Sequence, residues 1–327
     1  MRSTRNKLAA ALMLTAGVMA GTPAMAQNYP DKPITIIVPF SPGGGVDTMG
    51  RLLAEKLRTV LDQNVIVENK PGASGMLGAQ YVSRAEADGY TIMLGSAGET
   101  AINGYVYKEQ MNYRPEDLTP ISLVAKVPNV LIVGPSVKAT NVAELVDIAK
   151  SRPGELTYAS SGVGNPQHLN GELLGILADV KMVHVPYRGA SGQLADVAGG
   201  NVDMTFVSYA AAQSFVNTGK VKALAVTSPK RASFAPDIPA IAETKGLEAY
   251  SLTNWFGVFA PKGTPAAVVE TLNKAIGESL SDPDLVKNLT IQGGEIDVMT
   301  AQQFADFVKE ESKQYKTIVD KAGIEAE

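Results

Sequence analysis

"ISLVAKVPNVLIV", residues 121–133, is an apolar stretch interrupted once by proline, at Pro128. Its aliphatic and β-branched residues read as strand on both sides of that proline. A central strand tolerates proline poorly, because the ring removes a ladder donor. A chain leaving one sheet and entering another needs no donor at that point. The stretch therefore reads as a crossing between two sheets.

The sequence on either side supports two α/β units. Upstream, "ITIIV" (34–38) is a continuous β-branched run, as expected of a strand buried on both faces. Val46, Met49, Leu53, Leu57 and Val60 then repeat at helical spacing. "VIVE" (65–68) and "YTIML" (90–94) read as strands, with a helix at 76–85 between them. Downstream, helices at 141–151, 167–178, 190–198 and 210–217 alternate with strands at "LTYAS", "MVHVPY", "VDMTFV" and "VKALAVTS". Such alternation implies mainly parallel sheets flanked by helices. "NWFGVFAP" (254–261) reads as a second crossing, and helices near 265–280 and 301–323 close the chain. The expected organisation is one lobe of residues 27–125 with 254–327, a second lobe of 126–253, and a hinge near Pro128 and Trp255.

Residues 1–26 have the layout of a signal peptide: Arg2, Arg5 and Lys7, an apolar run from Leu8 to about Ala20, then Ala24-Met25-Ala26. Cleavage after Ala26 is expected, with the mature protein in the periplasm. The formal charge is −4, and removing three basic residues and no acid leaves −7. With no cysteine there are no disulfides and no lipid attachment, so buried core must supply the stability. Net acidity without a Lys/Arg cluster argues against nucleic acid as partner.

Three small-residue loops follow strands. "PFSPGGGVDTMGR" (39–51) is no Walker A, because Gly45 is followed by Val46-Asp47 rather than Lys-Ser/Thr. It is no dinucleotide fingerprint either, because Thr48 stands where the third glycine belongs. It reads as a helix start whose N–H groups can face an anion, with Asp47 able to support the first turn. "LGSAGET" (94–100) and "YASSGVGNPQHL" (158–169) take the same place after their strands, where open α/β sheets bind ligands. Catalysis finds little support: no Gly-x-Ser-x-Gly elbow occurs, and neither histidine sits in a metal-ligand pattern. His168 and His184 read as capping or buried residues, and Glu99 with Asp203 would make an acid pair only through tertiary placement.

The blocks "YPDKPITIIVPFSPGGGVDTMGRLLAEKL", "VENKPGASGMLGAQYVSRAEADGYTIMLGS", "GVGNPQHLNGELL", "VPYRGASGQLADVAGGNVDMTFVS", "ALAVTSPKRASFAPDIPAIAE" and "WFGVFAPKGTP" together resemble the Bug-type substrate-binding proteins of tripartite tricarboxylate transporters. The resemblance spans essentially the whole mature chain. It implies a two-lobed periplasmic binding protein fold of type II that closes on a small organic acid and delivers it to membrane permease subunits. It implies no catalytic residue, no metal and no cofactor, and a monomer. Carried over by position, the ligand-binding set is Ser41, Gly44, Gly45 and Asp47 from the first loop; Ser96, Ala97 and Gly98 from the second; and Ser160, Ser161, Gly162, Asn165 and Gln167 from the third. Asp203 and Ser208 complete it from the second lobe. Asn165 and Gln167 stand where the family often has threonine and serine, which points to a role in choosing among acids. A ligand sensor for a signalling receptor and an exported hydrolase are the alternative readings.

Overall fold

The structure, a computed structural model, describes residues 29–187 and 189–325. The signal-peptide segment expected at 1–26 lies outside the described residues. Two five-stranded sheets form the frame. The first has the order β2 (Val65–Asn69), β1 (Ile34–Val38), β3 (Thr91–Ser96), β10 (Asn254–Pro261) and β4 (Leu118–Val127). The second has the order β7 (Val183–Pro186), β6 (Thr157–Ser160), β8 (Met204–Ser208), β5 (Asn129–Val133) and β9 (Lys222–Val226). In each sheet the first three strands are mutually parallel. The fourth, β10 or β5, is antiparallel to both its neighbours. Four strands of each sheet therefore share one direction, and the strand next to the crossing opposes them.

Pro128 sits between β4 and β5, with no residue to spare on either side. One sheet ends at Val127 and the other begins at Asn129, so the proline falls where no ladder needs its nitrogen. The return differs from expectation. "NWFGVFAP" is β10, wholly inside the first sheet, and the chain comes back through the irregular residues before it, where Leu252 N–H donates to Thr227 O at 3.2 Å. Trp255 accordingly pairs with Lys126 in the ladder and is fully buried among Phe259, Phe304 and Phe307 rather than lining a cleft.

Helices cover both sheets. α1 (Gly45–Leu61) buries Val46, Met49, Leu53 and Leu57 against Ile36, Val38, Ile92 and Leu94 of the first sheet. α2 (Met76–Ser83) and the one-turn α3 (Asn103–Val106) also belong to the first half, and α4 (Val142–Ser151), α5 (Pro166–Ala178), α6 (Ala190–Gly199) and α7 (Tyr209–Asn217) flank the second sheet. The longest helix that the sequence does not announce is α9 (Pro283–Ile291), which follows α8 (Ala266–Ser279). Its start is marked by Asp282, whose carboxylate accepts from Asp284 and Leu285 N–H, with Pro283 at the first helical position.

The two sheets are not joined by the crossings alone. α10 (Ala301–Ala322) packs on the first sheet through Phe304 and also reaches α5 of the second. One continuous apolar cluster holds Ile37, Met93, Trp255 and Phe304 together with Leu131, Tyr158, Phe206 and Tyr250. Polar ties add to it: Tyr107 OH donates to Val163 O at 2.9 Å, and Ser233 N–H donates to Glu295 Oε1 at 2.6 Å.

Candidate functional site

Strand polarity decides which loops can meet. Ser96 at the end of β3 lies opposite Phe256, and Asn254 lies opposite Val127, so the C-terminal end of β3 points toward the crossing. In the second sheet Ser208, ending β8, lies opposite Asn129. β1 parallels β3 and β6 parallels β8, so the loops at 39–45, 96–98 and 160–165 all open toward the junction of the two sheets.

The first loop is exposed from Ser41 to Gly45. Asp47 is buried beneath it. Its carboxylate accepts from Gly43 N–H (2.9 Å), Arg51 Nε and Nη2 (3.1 and 2.9 Å) and Asn69 Nδ2 (2.9 Å). Burial pushes this carboxyl up, but the bonds from Arg51, Gly43 and Asn69 outweigh it and hold the group below the ordinary range. Asn69 also donates to Phe40 O, so strand β2 is stitched to the loop. Asp47 thus shapes the loop from below and does not face outward. Gly43 has φ +85 and needs glycine for its backbone. Gly44 does not: its φ is −78, and an added Cβ would meet only Ser41 O, at 3.7 Å. At Gly45 a Cβ would meet nothing within 4 Å. Among the described residues, the N–H groups of Gly44, Gly45 and Val46 find no protein acceptor. Neither packing nor dihedral angle requires glycine at 44 and 45; what their missing side chains keep open is the approach to these donors.

The second loop is built around Glu99, which the sequence offers only as half of an acid pair. Ser96 and Ala97 are buried and Gly98 is half-buried. Ser96 N–H donates to Glu99 Oε1 at 2.5 Å, and Ser96 Oγ lies 2.6 Å from Glu99 Oε2. Thr100 Oγ1 returns to Ser96 O at 2.5 Å.

The third loop uses its donors internally. Ser161 N–H and Oγ both donate to Gln167 Oε1, at 2.7 and 2.8 Å. Gln193 Nε2 donates to Ser161 Oγ and to Gln167 Oε1, while its own oxygen accepts from Thr205 Oγ1. Gly162 N–H meets Ser160 Oγ at 3.1 Å and Gly164 N–H meets His168 Nδ1 at 3.0 Å. Asn165 Oδ1 caps α5 by accepting from Gln167 and His168 N–H, both at 2.9 Å. The amide oxygens of Asn165 and Gln167 are therefore committed to loop structure, and only their NH2 groups are left to face outward. Behind the loop His168 stacks on His184 with ring centroids 3.7 Å apart, and His184 Nε2 contacts Ser160 Oγ at 2.6 Å. Burial and the neighbouring His168 push His184 down to about 4.

Asp203 is corrected outright. It precedes β8, and its carboxylate accepts from Thr157 N–H and Oγ1 and from Ser136 Oγ. Thr157 begins β6, so Asp203 lies at the far end of the second sheet from the loops, and no pair with Glu99 forms. Ser208 is at the junction end, half-buried and preceding α7. Gln193 and Tyr107 belong to the loop cluster and carried no local signal.

Residues 49–324 match the family described as "Tripartite tricarboxylate transporter family receptor". Among solved structures, "R. palustris Rpa4515 with adipate" superposes with a TM-score of 0.80 at 36% identity, covering 91% of this chain and 100% of that one. "Structure of periplasmic binding protein BugD" gives 0.76 at 33% identity, covering 91% and 100%. "MatC (Rpa3494) from Rhodopseudomonas palustris with bound malate" gives 0.75 at 30%, covering 89% and 100%. A family match over residues 49–324, with superpositions that cover 91% of the chain, leaves one assignment: the chain belongs to the tripartite tricarboxylate transporter receptor family and is a Bug-type periplasmic binding protein.

Proposed function

We propose that the protein captures a small carboxylate or dicarboxylate between its lobes and hands it to membrane permease subunits of a tripartite tricarboxylate transporter. The observation that carries this reading is the set of free N–H groups at Gly44, Gly45 and Val46, at the start of the 17-residue helix α1. Such an end carries roughly half a positive charge and holds a carboxylate without Lys or Arg. The adipate and malate bound by two similar proteins support the same chemistry. The lobes follow the expected division, 27–125 with 254–327 and 126–253, with the first boundary moved to Pro128 because β4 runs to Val127, and the mature chain starts at Gln27 in the periplasm. Among the described residues, no helix is long and apolar enough to cross a membrane.

The role is binding rather than turnover. Ser160 and His184 make the contact a nucleophile and base would make, but Ser160 is fully buried and its hydroxyl is spent between Gly162 O and Gly162 N–H. Mass spectrometry of the ligand released from purified protein identifies the acid, and calorimetry with adipate and malate measures its affinity. Release of a non-acidic ligand, or heat from neither diacid nor any monocarboxylate, overturns the reading. Intact mass of exported protein tests the start at Gln27; retention of residues 1–26 rejects it.

A further inference from the structure

Glu99 has no exposed surface, and its carboxyl meets the same residue twice: Ser96 N–H at Oε1 and Ser96 Oγ at Oε2. The backbone closes tightly on it. A Cβ at Gly95 would come within 3.1 Å of Oε1, and one at Gly75 within 3.2 Å of Oε2 and 3.1 Å of the Phe40 ring. Strand β3, the turn at 73–75 and the first loop therefore all wall it in, and none brings a cation. The titratable group with which it interacts is Tyr113, whose hydroxyl donates to the Glu99 carbonyl oxygen at 2.5 Å and is pushed above its ordinary range by burial. Burial pushes the Glu99 carboxyl up to about 7, against the pull of its Ser96 bonds.

We propose that Glu99 is a proton-linked positioning residue of the binding site: its protonation state decides whether the Ser96 hydroxyl presents a hydrogen or a lone pair to a bound carboxylate, so that the acid is captured together with one proton. The inference rests on the reading that the second loop faces the ligand. When Glu99 is ionised, the Ser96 hydroxyl donates to Oε2 and only its lone pairs remain for a ligand. When Glu99 is neutral, Oε2–H donates to Ser96 Oγ at the same distance, and the Ser96 hydrogen turns outward. Gly98 leaves that side open: a Cβ there would first meet Ser96 Oγ, at 3.6 Å. Where free Glu99 is ionised, binding brings one proton from solvent to Oε2, and no covalent bond to carbon changes. An anion beside Glu99 raises the midpoint further, so binding takes up protons where free Glu99 is ionised. Affinity is then flat below about pH 7 and falls as pH rises, by up to about tenfold per pH unit.

Two measurements decide it. First, carboxyl ¹³C chemical shifts of glutamate-labelled free protein, with E99Q identifying the resonance, are followed against pH. A midpoint near 7 is expected; an ordinary value of about 4.3 overturns the proposal with no ligand involved. Second, malate and adipate are titrated calorimetrically at pH 8 in two buffers of different ionisation enthalpy. Uptake approaching about one proton per ligand is expected. E99Q, whose amide accepts from Ser96 N–H and donates to Ser96 Oγ, mimics the neutral acid and should bind equally well at pH 6 and pH 8. Binding by the wild type without proton uptake overturns the coupling, even if E99Q fails to fold. Failure of both diacids to bind strikes the ligand reading of the preceding section, and the free-protein titration then decides the proposal.

Discussion

The loop after β1 and the loop after β6 look alike in sequence and differ in what they have left to give. Both follow a strand, both are rich in glycine and serine, and both open a helix. In the first, Asp47, Arg51 and Asn69 hold the loop from beneath, and the N–H groups of Gly44, Gly45 and Val46 stay free. In the third, Gln167, Ser160 and His168 accept from the N–H groups of Ser161, Gly162 and Gly164, and Asn165 caps α5, so those donors are consumed. One loop is a presented set of donors and the other a braced wall. Glycine content does not separate the two cases; what separates them is how many acceptor side chains turn onto the loop, Asp47 taking one N–H of the first while Ser160, Gln167 and His168 take three of the third.

The sharpest way to break this contrast is Gly44→Val. The backbone at 44 is already extended and a Cβ has room, so melting temperature should stay near wild type. Affinity for adipate or malate should fall more than about a hundredfold, since two hydrogen bonds to a charged group at roughly 1.5–3 kcal/mol each are blocked. Unchanged calorimetric affinity in a folded variant would remove the first loop from the site. Next in size is Gln193→Ala. It leaves Thr205 Oγ1 without its bond to the amide and frees Ser161 and Gln167 from their shared donor, at a cost of roughly 1–3 kcal/mol in urea unfolding. Diacid affinity should drop less than for Gly44→Val; a larger drop would mean that the third loop is no mere wall.

Asp47→Asn should cost about 1 kcal/mol, discounted because Arg51 is half exposed and its charge is screened. The folded carboxyl is held below its ordinary value, so its contribution is present above the unfolded value and is lost as pH falls through the folded one. The gap between wild type and variant should therefore close in acid; a gap constant down to pH 2 contradicts the ionised role. The smallest effect belongs to Asn165→Thr. Threonine also caps helices, so stability should change by only about 0.5 kcal/mol. The affinity ranking of mono- and dicarboxylates should be preserved, and a re-ranked panel would restore Asn165 as a selectivity residue.

Much of this was legible beforehand. Pro128 inside an apolar run marked the crossing, because a missing N–H is a local fact about a ladder. The first loop's helix start, with its unpaired N–H groups, followed from strand, glycines and helix in that order. Some misses had signals. Asn165-Pro166 is a cap followed by proline at the first helical position, and Asp282-Pro283 repeats it at the start of α9. Asp203 precedes its strand, and a residue before a parallel strand lies at the end away from the ligand side. Others had none. Gln193 reaches Ser161 across 32 residues and Tyr107 reaches Val163 across 56, and no spacing rule encodes such pairs. Trp255 misled because its strand begins at the junction while its ring turns to the phenylalanines of α10.

The position of β10 has a consequence in time. It lies between β3 and β4, yet some 126 residues separate it from the end of β4, across the whole second sheet. Until residues 254–261 have left the ribosome, β3 and β4 have no shared neighbour, and the first sheet is two unjoined pieces. The second sheet needs nothing beyond Val226 and can form from a nascent chain that is still growing. Order of synthesis thus runs against order of assembly: the half that begins first is finished last, and its closure depends on contacts distant in sequence, which are slow to form. A chain halted anywhere before Asn254 holds the first loop on β1, β2 and β3 alone, unjoined to β4 and the crossing.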